Sequence, residues 1–264
     1  MNVVDMGSGA PLVFVPGLQG RWEYARATVE ALAAHFRVLT FSLCDEPSAG
    51  APFDRGAGFD AYGDQIGAAL DRVQLRRAVI CGLSFGGLAA LNFASRFADR
   101  TEALVLASTP GPGFRLRRRH EIYARAPWLF GALFMIEAPL RAAPELKAAM
   151  PSADERRAFT RRMLRTAFTA PLSLPRMAAR ARSIASYDSA AACAKVTAPT
   201  LVVTGERSLD FVVGVDGTSQ YARLINGATS VVLERTGHQG TLTRPRDFAE
   251  IVRKFVAEHQ HAAA

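Results

Sequence analysis

Short apolar runs bounded by glycine or proline recur along this chain, with amphipathic helical stretches between them. Asn2 to Met6, Pro11 to Val15, Val38 to Leu43, Ala78 to Cys81, Ala103 to Ala107, Leu201 to Thr204 and Ser230 to Leu233 each read as a strand. Most of them are apolar throughout, as strands covered on both faces are. Trp22 to Phe36 places Trp22, Ala25, Val29, Leu32 and Phe36 on one helical face. Tyr62 to Leu75, Gly86 to Phe97 and Phe248 to Glu258 are helical too, while Glu46 to Phe59, rich in Pro and Gly, is a long loop. Strands alternating with helices require right-handed crossovers. The expectation is an α/β fold: a mostly parallel sheet of about seven strands with helices on both faces.

The alternation stops between Thr109 and Pro199. Eight prolines, from Pro110 to Pro175, are expected to cut this stretch into short Arg- and Ala-rich helices. From Pro110 to Lys195 there are 16 Lys and Arg against 6 Asp and Glu, and the rest of the chain has 16 against 18. The whole excess of +8 therefore lies in one segment. A basic chain ordinarily suggests nucleic acid; basicity confined to one block suggests an inserted module on a near-neutral scaffold. The expected division is a core of residues 1–109 and 199–264 and an all-helical cap at 110–198. In the cap, Trp128, Phe130, Leu133 and Phe134 would line a substrate pocket and the arginines would face water.

With 49% apolar and 21% charged residues, the chain is globular in composition. Its apolar runs are too short to span a membrane, and no secretory leader is visible at the N-terminus. Cys44, Cys81 and Cys193 have neither disulfide-scaffold nor zinc spacing, which points to a reducing, cytoplasmic setting. His259 and His261, in the Ala-ended tail, make an unconvincing metal pair. No phosphate-binding or dinucleotide loop occurs, so neither cofactor nor metal is expected.

Gly82-Leu83-Ser84-Phe85-Gly86-Gly87 carries the chemistry. A bare G-x-S-x-G arises often by chance, but here a strand runs into it and a helix leaves it. That context calls for a turn tight enough to strain Ser84, with flanking glycines letting strand and helix approach. Ser84 would stand at the positive end of the helix, where developing negative charge is favoured.

At these residues the chain resembles the α/β-hydrolase fold family, over nearly its whole length outside the insertion. Val13-Phe14-Val15-Pro16-Gly17-Leu18-Gln19-Gly20 looks like the family's oxyanion loop, with Pro16 where many members have His. The resemblance implies that the backbone N–H groups of Leu18 and Phe85 bind the oxyanion. It makes Ser84 the nucleophile and His238, in Thr236-Gly237-His238-Gln239-Gly240, the general base. The family's acid position counts out to Ser208, which cannot serve; a loop two residues longer would bring Asp210 there, with Glu206 and Asp216 as rivals. Relatives that use an aspartate nucleophile, such as haloalkane dehalogenases and epoxide hydrolases, are excluded by Ser84. The implied activity is hydrolysis of a small carboxylic ester with an apolar acyl or alkyl group, without nucleic-acid partners or stable membrane insertion. Thioester, lactone or C–C bond hydrolysis are alternatives, as is a non-catalytic ligand-binding role.

Overall fold

The computed structural model describes residues 1–261, so His261 lies in a described helix while Ala262 to Ala264 fall outside the described residues. Seven strands form one sheet: β1 (Val4–Met6), β2 (Pro11–Val15), β3 (Arg37–Thr40), β4 (Ala78–Leu83), β5 (Thr101–Ala107), β6 (Thr200–Thr204) and β7 (Thr229–Val232). Their order is β1-β3-β2-β4-β5-β6-β7, and every pairing is parallel except β1 with β3. β2, β4 and β5 at the centre are buried almost throughout. Alternate residues of β2 serve opposite layers: Val13 and Val15 pack in one apolar cluster, Leu12 and Phe14 in the other.

The first cluster is covered by α2 (Phe59–Arg72) and α3 (Phe85–Arg96); the second is covered by α1 (Arg26–Ala33) and, from the far end of the chain, a helix over Pro245–His261. The expected first helix is shorter than its apolar spacing suggests, because Trp22–Ala25 forms a 3-10 turn ahead of α1. Each fully buried Leu, Val or Phe contributes about 1.5–3 kcal/mol, so the two clusters supply most of the driving force for the sheet.

Between β5 and β6 the chain is helical: α4 (Arg118–Arg125), α5 (Pro127–Ala149), α6 (Ala153–Thr169), α7 (Leu174–Ser183) and α8 (Ser189–Cys193). Three short helices follow β6 and β7, namely α9 (Val215–Ser219), α10 (Tyr221–Leu224) and α11 (Gly240–Thr243), before α12 (Pro245–His261). No helix among the described residues is long and apolar enough to cross a membrane.

The expectation of uniformly short inserted helices fails at α5, which runs 23 residues through Pro139 and Pro144. Each proline removes one hydrogen bond to the residue four positions back. Those residues are Met135 and Leu140, 42% and 69% exposed, where water can take over the freed carbonyls. Among the residues expected to line the pocket, Trp128 is 82% exposed and Leu133 is exposed as well, against the expectation that they turn inward; Phe130 stacks on Tyr123, with ring centroids 5.5 Å apart, and Phe134 is half-buried. Helical periodicity shows that one face of α5 is apolar without showing which way that face turns. The arginines do not all face water either, because Arg180 is fully buried.

Candidate active site

Ser84 continues β4 by one residue, its N–H donating to the carbonyl of Ala107 at 2.8 Å, and then the chain turns into α3. Its φ of 53° is left-handed, a conformation that costs a non-glycine residue about 1–3 kcal/mol. Neighbouring glycines hold the turn there by leaving room. A Cβ on Gly82 would overlap the backbone of Gly86 and Gly87, and one on Gly86 would overlap the carbonyls of Val15 and Pro16. Gly82→Ala is therefore expected to destabilise the fold by about 1–3 kcal/mol, measured as a lower urea midpoint at unchanged slope.

His238 lies on the turn between β7 and α11, and its Nε2 is 3.1 Å from Ser84 Oγ, 154 residues away in sequence. This is hydrogen-bond distance, with the serine hydroxyl able to donate to the imidazole. Asp210 reaches the same ring from the loop after β6. The Glu206 carbonyl accepts from the N–H groups of Leu209 and Asp210, both at 3.0 Å, making one tight turn. That turn carries the chain the two positions from Ser208 to Asp210. Gly205 and Gly237 let the two loops meet, since a Cβ on either would strike the other loop's backbone.

Asp210 is 7% exposed, and its Oδ1 accepts from the N–H groups of Val212 at 2.9 Å and Val213 at 3.2 Å. Its Oδ2 stands 3.8 Å from His238 Nδ1, an ion-pair separation longer than a hydrogen bond, and Nδ1 is buried without a hydrogen-bond partner. A shift of less than 1 Å would join them. Burial disfavours the Asp210 carboxylate, but the His238 ring and the two amides outweigh it and hold the carboxyl below its ordinary value.

The rivals are committed elsewhere. Glu206 accepts from the Arg235 N–H at 2.6 Å in an exposed position, and Asp216 pairs with Arg207 in solvent. Gly17 sits against Ser84, its missing Cβ position 3.6 Å from the Ser84 Cβ, so the Pro16–Gly20 loop borders that side chain. Phe85 is the first residue of α3, where an N–H has no partner within the helix. Phe85 thus follows Ser84 directly at the head of α3, and Leu18 follows Gly17 in the bordering loop.

Residues 12–251 match the model of the alpha/beta hydrolase family. The chain belongs to this family. It is 32% identical over 119 residues to a 2-hydroxy-6-oxo-2,4-heptadienoate hydrolase of Pseudomonas putida, a match spanning 44% of this chain and 43% of that protein. Among solved structures, an enol-lactonase from Burkholderia xenovorans LB400 superposes with a TM-score of 0.72 at 23% identity, covering 97% of this chain and 96% of that one. A meta-cleavage product hydrolase from Pseudomonas fluorescens IP01 gives 0.73 at 24% identity, covering 97% and 94%. At such identities the structures share the fold.

Two charged residues of this alpha/beta hydrolase escape a reading of its sequence. Glu145, on α5, is 3% exposed, and its Oε1 accepts from the Gln239 N–H at 2.8 Å, next to His238. Arg180, on α7, is 1% exposed and donates to Asp45, Glu46 and the Leu18 carbonyl. Nothing in the Arg- and Ala-rich pattern sets Arg180 apart from the fifteen other cations of its segment, and Glu145 belongs to no motif. The cavities beneath Phe114 and Arg115 are lined also by Ile184 and Ala185, and neither is lined by Ser84 or His238.

Burial pushes the Glu145 carboxyl up to about 7 and nearby Asp210 adds to this, while the Gly237 and Gln239 amides and His238 act the other way. A carboxyl raised in the folded state binds its proton more tightly there than in the unfolded chain. Its stabilising contribution is complete below the ordinary value of 4.5 and is lost as pH rises through about 7. Asp210, depressed, acts with opposite sign, and only at lower pH, below 3.8. Thermal melts across pH 4.5–7 are thus expected to show a stability loss with rising pH that Glu145→Gln flattens.

Proposed function

We propose that this chain is a cofactor-independent serine hydrolase of small carboxylic esters, with Ser84, His238 and Asp210 as its triad. The observation that carries the reading is the 3.1 Å contact between His238 Nε2 and the strained Ser84 Oγ. His238 takes the Ser84 proton as Oγ bonds to the acyl carbon, and Asp210 stabilises the resulting imidazolium. The N–H groups of Leu18 and Phe85 receive the negative charge on the former carbonyl oxygen. Collapse of that intermediate breaks the bond to the alcohol oxygen, which leaves with the proton from His238. Water then gives a proton to His238 and attacks the acyl-enzyme; the acid is released and Ser84 recovers its proton.

A second reading is favoured by the 32% identity to the heptadienoate hydrolase: the same machinery acting on an unsaturated hydroxy-keto acid of that kind. The test is a panel of p-nitrophenyl acetate, butyrate and octanoate, a simple lactone and 2-hydroxy-6-oxo-2,4-heptadienoate, run beside a fluorophosphonate probe. Covalent addition of one phosphonate at Ser84, with turnover of the esters, is expected. Turnover of the dienoate alone selects the second reading. No labelling and no turnover would favour a non-catalytic ligand-binding protein.

A further inference from the structure

The helical insertion reaches into the core with two buried charged side chains, each ending on the backbone of a different half of the site. Glu145 Oε1 accepts from the N–H of Gln239, the residue after His238, at 2.8 Å. Gly237, the residue before it, is packed against Leu209 and Asp210, so the His238 turn is held between the loop after β6 and α5. On the opposite side, Arg180 Nη1 donates to the Leu18 carbonyl at 2.8 Å. Its Nε and Nη2 lie 2.9–3.1 Å from the Asp45 carboxylate, and Nη2 is 2.5 Å from Glu46 Oε1. Gly20, at φ 77°, leaves the space the guanidinium fills, because a Cβ there would overlap it. The Gly17 carbonyl accepts from the Gly20 N–H at 2.9 Å, so fixing Leu18 fixes one tight turn.

We propose that the insertion is a working part of the site, in which Glu145 positions the His238 turn and Arg180 positions the oxyanion loop at Leu18. The proposal rests on the serine-hydrolase reading above. Both are positioning residues, acting through backbone groups and touching no substrate. A cover that only selects acyl chains acts on long esters and leaves short ones alone. Residues that aim the base and the oxyanion donors act on every ester equally, because each substrate uses the same two groups. A displacement of about 1 Å in such groups costs up to about 10² in rate. The choice of side chains is specific. A glutamine at 145 keeps an oxygen for the Gln239 N–H, while an alanine does not. A lysine at 180 keeps the charge but lacks the planar fork that serves two carboxylates and a carbonyl together.

The test compares the full-length protein with Glu145→Gln, Glu145→Ala and Arg180→Lys, each titrated with fluorophosphonate so that rates refer to reactive Ser84. Glu145→Ala and Arg180→Lys are expected to lower kcat on p-nitrophenyl acetate and octanoate by the same factor, about tenfold or more, with KM changing less than about twofold. Glu145→Gln is expected to stay within about threefold of the parent, because its oxygen still accepts the N–H. Loss confined to the octanoate, or unchanged kcat with only a lower melting temperature, would overturn the proposal. So would Glu145→Gln falling as far as Glu145→Ala. If Arg180→Lys does not fold, the two Glu145 variants still decide between positioning and cover. A parent protein that fails to label at Ser84 refutes the serine-hydrolase reading and this proposal with it. A parent that labels beside variants that keep parental kcat refutes the proposal alone.

Discussion

Ser84→Ala is expected to remove ester hydrolysis while leaving the fold intact. Alanine lacks the oxygen that bonds to the acyl carbon, and no other hydroxyl among the described residues is bonded to His238 Nε2. In a serine protease such a loss costs on the order of 10⁶ in kcat, with a residue of rate surviving from the oxyanion donors alone. Stability should change little. Alanine has the same Cβ and meets the same strain at φ 53°, and the one hydrogen bond lost is worth about 0.5–1.5 kcal/mol. The measurements are p-nitrophenyl acetate turnover beside a thermal melt. A variant that melts like the parent and keeps more than a few per cent of its rate would show that Ser84 is not the nucleophile.

Asp210→Asn should be the next most damaging change. The amide oxygen can still accept from Val212 and Val213, so the loop keeps its shape. What disappears is the negative charge 3.8 Å from His238 Nδ1. The imidazole is then free to place its proton on Nε2, where it cannot accept one from Ser84; a change of this kind costs about 10⁴ in a serine protease. Glu206→Gln and Asp216→Asn are the controls and should retain near-parental rates, because both side chains are bonded at the surface. A large loss with Glu206→Gln instead would mean that the loop after β6 rearranges to bring Glu206 to the base.

The sheet was legible because its strands are buried on both faces, so apolar runs such as Pro11–Val15 and Ala78–Leu83 stand out from flanking glycine and proline. The turn at Ser84 was legible because so tight a turn needs glycines at fixed offsets, a local requirement that leaves a local trace. His238 and Asp210 became legible only through their order after Ser84, since nothing local to either loop dictates the partner 3.1 or 3.8 Å away. Glu145 and Arg180 left no trace. Their environment comes from tertiary contacts between segments up to 162 residues apart, and in composition they look like any solvated helix charge. Trp128 misleads for the converse reason, since an apolar residue on an apolar helix face reads as buried wherever that face is turned.

The Arg180 cluster also bears on how specificity can diverge in this family. Removing one partner of a buried ion pair costs about 3–5 kcal/mol, because the other charge is stranded away from water. An insertion transplanted from a relative without an arginine at this point would strand Asp45 and Glu46, which are 8% and 4% exposed at their side chains. The reverse graft would bury an unmatched guanidinium in a foreign core. Exchange of whole insertions between family members therefore carries a folding penalty unless both sides of the cluster travel together. Point substitution along the outer faces of α5 and α6, where Trp128, Leu140 and Phe168 meet solvent, carries none. New preferences in this lineage are accordingly expected to arise by gradual drift of the exposed helices while the Arg180 seam stays matched.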